Sequence, residues 1–304
     1  MEIITVNPRG FCKGVVKAIM IAKETAKQYP NQKITILGEL VHNRYVVDAL
    51  KDYRIESIES KDQTRFDLLD QVNEGIVIFS AHGISSNVVE KAKRKGLITV
   101  DASCEDVIST QNLIHTYLDQ EYTILYIGQE NHPEAEAICD INRERIHFIK
   151  DFDAINALDV NSDKIFVTNQ TTMSILEIKD MLNSIKDKYP QAVISDEICN
   201  ATRTRQEAIL KLEDIDCLIV IGDPKSNNTK MLAKIGTNKG IENVYLVETV
   251  AGLLDKNLAQ FNRVAITAGA STPSYLVNQV IAYCNAIKDN LDPIEAINSV
   301  KIFI

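Results

Sequence analysis

Long apolar runs are missing from this 304-residue sequence. Stretches such as CLIVIG at 217–222 fall far short of the roughly 20 apolar residues that span a bilayer, so no membrane role is expected. Excess positive charge is missing too: 33 Lys and Arg face 42 Asp and Glu, a net charge of −9. Nucleic-acid binding depends on phosphate neutralisation by basic side chains, so no nucleic-acid partner is expected either. Any anionic ligand has to be held by a local site. The start, MEIITVNPRG, has no charged segment leading into an apolar one, which sets the expectation of a cytoplasmic protein. Cytoplasmic cysteines are usually reduced, so the six here point to core filling, metal binding or catalysis before disulfides. Local CxxC pairs, the common mark of structural zinc, are absent as well.

What is present is an ordinary globular composition, 45% apolar and 25% charged, with length for two or three domains. Three cysteines share a context. Cys12 follows IITVNPRGF, Cys104 follows LITVDAS and Cys199 follows AVISDEI. Each precedes a helix-like stretch; after Cys12, residues Val15, Ala18, Ile19, Ala22 and Ala26 recur at helical spacing. A short apolar strand follows each time, ITILG, YTILYIG or CLIVIG, then a polar loop, a short helix, a second strand and a third. The cysteines stand 92 and 95 residues apart, so the pattern repeats three times. Alternating strands and helices predict parallel sheets in three similar α/β units. The third unit lacks its last strand, and IITVN before Cys12 can supply it and close the units into a ring. The expected divisions are 1–12 completing the third unit, 13–103, 104–198, 199–285 and a tail at 286–304.

The polar loops all follow strands, the edge at which such sheets bind ligands. Three thiols there suit a metal centre, with three separate core cysteines as the competing reading. Cys139, Cys217 and Cys284 sit in apolar contexts and read as core. His42, His82 and His132 fall in the loops, whereas His115 and His147 lie within a helix and a strand pattern. A lone histidine is more often structural; together with hydroxyl-rich loops these three read as an anion pocket. Ser226, Asn227, Asn228, Thr229, Ser271 and Thr272 can hold phosphate or cap helices. Glu134 at a helix start can donate a proton or complement the helix dipole.

The motifs PRGFCKGV, GELVHN, SAHGIS, DASC, NHPEAE, NQTT, ICNAT, KSNNT and TAGASTP occur in that order. Over roughly residues 3–285 the chain resembles the 4-hydroxy-3-methylbut-2-enyl diphosphate reductases, which end the methylerythritol phosphate route to isoprenoids. The resemblance implies three pseudo-symmetric α/β units around one 4Fe–4S cluster, with Cys12, Cys104 and Cys199 as ligands and one iron left open. It implies pocket roles for His42, His82, His132 and Thr202. Ser226, Asn228 and Ser271 match residues that hold the diphosphate. Thr171 and Glu134 match residues at the substrate hydroxyl, with Glu134 delivering protons. The implied reaction is a two-electron, two-proton reductive dehydroxylation of the allylic diphosphate to isopentenyl and dimethylallyl diphosphate. A small ferredoxin- or flavodoxin-type protein would supply the electrons.

Three departures bear on rate and affinity. Glu105 stands where Pro commonly follows the second cysteine, and Gln129 where the family often has His or another residue. Ser226-Asn227-Asn228 replaces Ser-Ser-Asn, with Asn227 still able to donate to phosphate. The rival readings are an iron–sulfur redox sensor on this scaffold without turnover and a metal-free sugar-phosphate-binding protein. A sensor has no use for Glu134 or for a phosphate pocket.

Overall fold

The structure, a computed structural model, describes residues 1–60 and 62–302. Its strands are β1 (Glu2–Thr5), β2 (Ile34–Leu37), β3 (Ile55–Ile58), β4 (Ile76–Phe79), β5 (Ile98–Asp101) and β6 (Thr123–Ile127). They continue with β7 (Ile146–Ile149), β8 (Ile165–Asn169), β9 (Val193–Ile194), β10 (Cys217–Ile221), β11 (Asn243–Val247) and β12 (Arg263–Ala268). The helices are α1 (Lys13–Gln28), α2 (Arg44–Lys51), α3 (Arg65–Leu68), α4 (Ser86–Arg94), α5 (Glu105–Asp119) and α6 (Pro133–Cys139). After these come α7 (Phe152–Ala157), α8 (Ile175–Lys188), α9 (Asn200–Leu210), α10 (Asn227–Asn238), α11 (Ser274–Asp289) and α12 (Pro293–Asn298).

The strands form three four-stranded sheets, ordered β3-β2-β4-β5, β7-β6-β8-β9 and β11-β10-β12-β1, and every pairing is parallel. The three orders are one pattern, in which β1 takes the place held by β5 and β9. It pairs with β12 in the register Ile3↔Val264 and Thr5↔Ile266. In each sheet the chain first runs outward to one neighbour and then crosses to the other side. That reversal is a topological switch point, beyond whose carboxyl ends ligands bind. The loops carrying His42, His132 and Ser226 follow the strand on one side of it. Those carrying His82, Thr171 and Ser271 follow the strand on the other.

The chain divides into two compact units. One comprises Met1–Val15, His42–Ala49 and Asn200–Ile304, and is built on the sheet of β10. Its central strand CLIVI is buried throughout, as a strand covered on both faces must be. Cys217, Ile219 and Ile221 pack with Leu276, Val280 and Cys284 of α11. Leu218 and Val220 face the other way, to Ile209 of α9 and to Leu232 and Ile235 of α10. Helix α11 runs past the expected start of the tail, and Ile297 and Val300 beyond it pack on the same core. Residues 303 and 304 of that tail lie outside the described residues.

The other unit, Val16–Val41 with Leu50–Cys199, carries the remaining two sheets. Along β6, Leu125 and Ile127 pack with Ile178, Met181 and Ile185 of α8. Ile124 and Tyr126 turn to the opposite face, with Ile114 and Leu118 of α5 and Ala135 and Ile138 of α6. Among the described residues no helix is long and apolar enough to cross a membrane.

Candidate active site

Each of the three repeated cysteines stands immediately before a helix: Cys12 before α1, Cys104 as the N-cap of α5 and Cys199 before α9. Helix starts present unpaired N–H groups and a positive dipole end toward the residues that precede them. In the first unit the Val15 N–H points at the Cys12 sulfur, 3.5 Å away. The other cysteines are in different surroundings. Burial pushes the Cys139 thiol up to about 11 and those of Cys217 and Cys284 up to about 12, so they keep their protons. Among the described residues no cysteine is in a disulfide.

In the unit that holds β6, the loop after that strand leads into α6. His132 is its N-cap, and Nδ1 accepts the Glu134 N–H at 3.1 Å, which places the neutral ring's proton on Nε2. Glu134 is 2% exposed. Its carboxyl accepts the Thr171 N–H at 2.8 Å and the Thr171 hydroxyl at 2.9 Å. Burial pushes its pKa up to about 7, with Asp106 adding to the rise; the two Thr171 bonds and Tyr126 oppose it. Dipole complementarity needs neither enclosure nor specific donors, and this acid has both. The carbonyl of Thr171 in turn accepts the Cys199 N–H at 3.1 Å, so one residue joins the acid to the third cysteine. His82 lies 3.3 Å by Nδ1 from the Ser80 hydroxyl, and its ring meets that of His132 edge-on at 5.5 Å. The N–H of Cys104 donates to Ala81, the neighbour of His82, at 3.0 Å.

The first unit gathers the remaining candidates. Ser226 caps α10, its hydroxyl accepting the Thr229 N–H at 3.4 Å, so the capping role is real for this residue. Asn227 and Asn228 occupy the first turn and are buried. The amide of Asn228 donates to the Thr202 hydroxyl at 3.1 Å, and its carbonyl accepts the Ala270 N–H at 3.0 Å. The carbonyl of Ala270 accepts the Cys12 N–H at 3.0 Å. Ser271 donates to the His42 carbonyl at 2.9 Å and Thr272 to that of Ile221 at 3.0 Å. Neither hydroxyl caps α11, which begins after Pro273 without a side-chain cap. The loop after β10 lies so close to α10 that a Cβ on Gly222 would stand 2.6 Å from the Thr229 hydroxyl. Buried amides and hydroxyls at the start of a twelve-residue helix are groups that can donate to an anion without excess basic charge.

Residues 3–285 match the LytB protein family. The 4-hydroxy-3-methylbut-2-enyl diphosphate reductase of Listeria monocytogenes is 43% identical over 93% of this chain and 86% of its own length. That of Bacillus cytotoxicus is also 43% identical, over 93% of this chain and 90% of its own. The chain belongs to the LytB family. A solved structure of the Plasmodium falciparum E-1-hydroxy-2-methyl-but-2-enyl-4-diphosphate reductase superposes with a TM-score of 0.85 at 31% identity, over 92% of this chain and 86% of that one. A second, of the (E)-4-hydroxy-3-methyl-but-2-enyl diphosphate reductase that ends the non-mevalonate pathway, gives 0.63 at 27%, over 96% and 100%.

Two residues of this LytB chain emerge only from the structure. Gln170, fully buried, accepts the Gln129 N–H at 2.8 Å and so fixes the loop before His132. Tyr126 places a phenol on the α5–α6 face of β6, beside Ile124. Its signal in the sequence is the aromatic in TILYI, which reads equally well as core filling.

Proposed function

We propose that the chain reduces (E)-4-hydroxy-3-methylbut-2-enyl diphosphate to isopentenyl and dimethylallyl diphosphate. The observation that carries this reading is the Thr171 bridge, which ties a buried acid poised near neutrality to the backbone of a helix-start cysteine. A redox sensor has no need of such an acid. Cys12, Cys104 and Cys199 would hold a 4Fe–4S cluster through three ligands. Among the described residues no three His, Cys, Asp or Glu side chains gather as they would around a single ion. Cluster thiolates each bind a different iron, and a set of three thiols fits that chemistry better than structural zinc, which takes four protein ligands. When bound, the cluster supplies electrons singly and an open iron that polarises the substrate hydroxyl.

The chain's own residues do the rest. Ser226, Asn227, Asn228, Ser271, His42 and His82 would hold the diphosphate and orient the substrate. Thr202 would line the pocket from α9, and His132 would fix the start of α6. Thr171 holds the Glu134 carboxyl while Glu134 gives its proton to the departing hydroxyl, so that water leaves rather than hydroxide. A ferredoxin- or flavodoxin-type protein would deliver the electrons. Anaerobic incubation with a chemically reduced mediator and the allylic diphosphate should release both products. An intact cluster with no product would return the reading to a sensor.

Two further outcomes follow from the geometry. Glu134 acts in its protonated form, so kcat should fall as one proton is lost through pH about 7. A profile of kcat flat between about pH 6 and pH 9 would remove Glu134 as the donor. Asn228→Ala breaks the bonds to Thr202 and Ala270 and removes an amide from the proposed diphosphate site. KM should rise by about tenfold to a hundredfold, from about 1.5–3 kcal/mol per bond to a charged ligand, with kcat reduced less. Unchanged KM would place the diphosphate elsewhere.

A further inference from the structure

Tyr126 stands on β6 directly beside Thr168 of β8 in the parallel register, with its ring packed between α5 and α6. It is fully buried, and its hydroxyl has no partner of strict hydrogen-bond geometry among the described residues. A buried phenol without a partner is costly, because the desolvated O–H is not repaid. The helix whose Ala135 and Ile138 pack with Tyr126 begins with a group of complementary need. Glu134, at the start of α6, is a buried carboxyl with two donors, both from Thr171, whereas a carboxylate has about four acceptor positions.

We propose that Tyr126 is a positioning residue for Glu134, its hydroxyl closing on the carboxyl as a third donor beside the two from Thr171. This rests on the reading of Glu134 as proton donor. Each group supplies what the other lacks: the phenol gains a charged acceptor and the carboxylate a donor. The mutual effect is already felt, for Tyr126 favours the ionised form of Glu134. Burial first, then the Glu134 charge and Cys139, push Tyr126 itself well above the usual phenol range, so it remains a donor at every working pH. The other groups acting on Glu134 are Asp106 from α5, which favours the protonated form, and Thr171, which favours the ionised one. His132 meets its backbone N–H.

Tyr126→Phe removes one oxygen and keeps the ring in its apolar setting. The test is an infrared titration of the Glu134 carboxyl in the folded holoenzyme, with the band assigned by its loss in Glu134→Gln. Losing a donor to the charged form favours the neutral form, so the titration should move upward by about one to two pH units. The falling limb of kcat should move with it, kcat should drop by about tenfold, and KM should stay within about twofold. A phenol that only fills the core lowers the melting temperature on removal and leaves that midpoint in place. An infrared shift supports the assignment even where Glu134→Gln keeps its turnover, which sinks only the proton-delivery reading. An unmoved titration overturns it even where Glu134→Gln is inactive. Should Tyr126→Phe fail to fold, fluorine NMR of 3-fluorotyrosine-labelled protein decides. One tyrosine resonance should titrate with Glu134 and stop doing so in Glu134→Gln; if none responds, the proposal falls.

Discussion

Glu134→Gln should lower turnover by at least about a hundredfold while the cluster spectrum and substrate binding stay near those of the parent. Gln keeps the size of the side chain and can still accept from Thr171, but it has no proton to give. Substrate should accumulate bound with its hydroxyl attached. Turnover within a few-fold of the parent would move the acid elsewhere, with His132 the next candidate. Stability carries a second signature. The folded chain holds the Glu134 proton up to about pH 7, whereas an unfolded Glu releases it near its ordinary value of 4.5. The native state therefore binds more protons between these values, and its stability declines as pH rises through that window, by about 3 kcal/mol in all. Gln escapes this loss. The melting temperatures of parent and variant should be close at pH 4.5, with the variant ahead at pH 8. Parallel curves across that range would mean that the carboxyl is not desolvated as described.

Serine in place of Cys12, Cys104 or Cys199 should remove most of the iron from the anaerobically purified protein, because an alcohol is a poor, hard substitute for a thiolate. The same change at Cys139, Cys217 or Cys284 should leave iron per folded chain near the parent value. Those thiols keep their protons to about pH 11 or 12 and sit in packed surroundings. The buried positions 217 and 284 would then carry a hydroxyl in the core, at a cost of about 1–3 kcal/mol, so the count has to be made per folded chain. Equal loss of iron at all six would dissolve the distinction between the two sets of cysteines.

The alternation of strand and helix was readable because each strand is short, apolar and closed by a turn signal, as in ITILG and CLIVIG. Parallel, doubly covered strands carry that signature without period-two polarity. The missing strand of the third repeat and the strand-like IITVN at the start could be matched for the same reason, and in the structure β1 lies beside β12. Helix α11 was harder to bound, since its end is set by a left-handed Asn290 and by packing of Ile297 and Val300, not by Gly or Pro at 285. At the site, the loop histidines were legible from their placement, whereas Glu134 and Thr171 became site residues through the resemblance of NHPEAE and NQTT to the family motifs. What the sequence could not carry was burial: the pKa of Glu134 near 7 follows from enclosure, and enclosure is a property of the fold. Tyr126 was hidden for a related reason, because an aromatic in a strand is ordinarily core. Of the two roles open to Ser271 and Thr272, phosphate holding and helix capping, the second is not taken: their hydroxyls reach carbonyls of distant segments.

The pairing of Glu2 with Arg263 sets an order in time. On a ribosome β1 is made some 260 residues before its partner β12, a wait of roughly 13–50 s at ordinary translation rates. Throughout that interval β1 is an unpaired sheet edge, and Cys12, whose N–H is held by Ala270, has no fixed position. Cys104 and Cys199 belong to a unit whose residues have all been made by position 199. Two thiols are thus placed early and the third late. On the proposed ligand set, iron delivered to the nascent chain would lack the Cys12 thiol, so productive loading would have to follow the synthesis of β12.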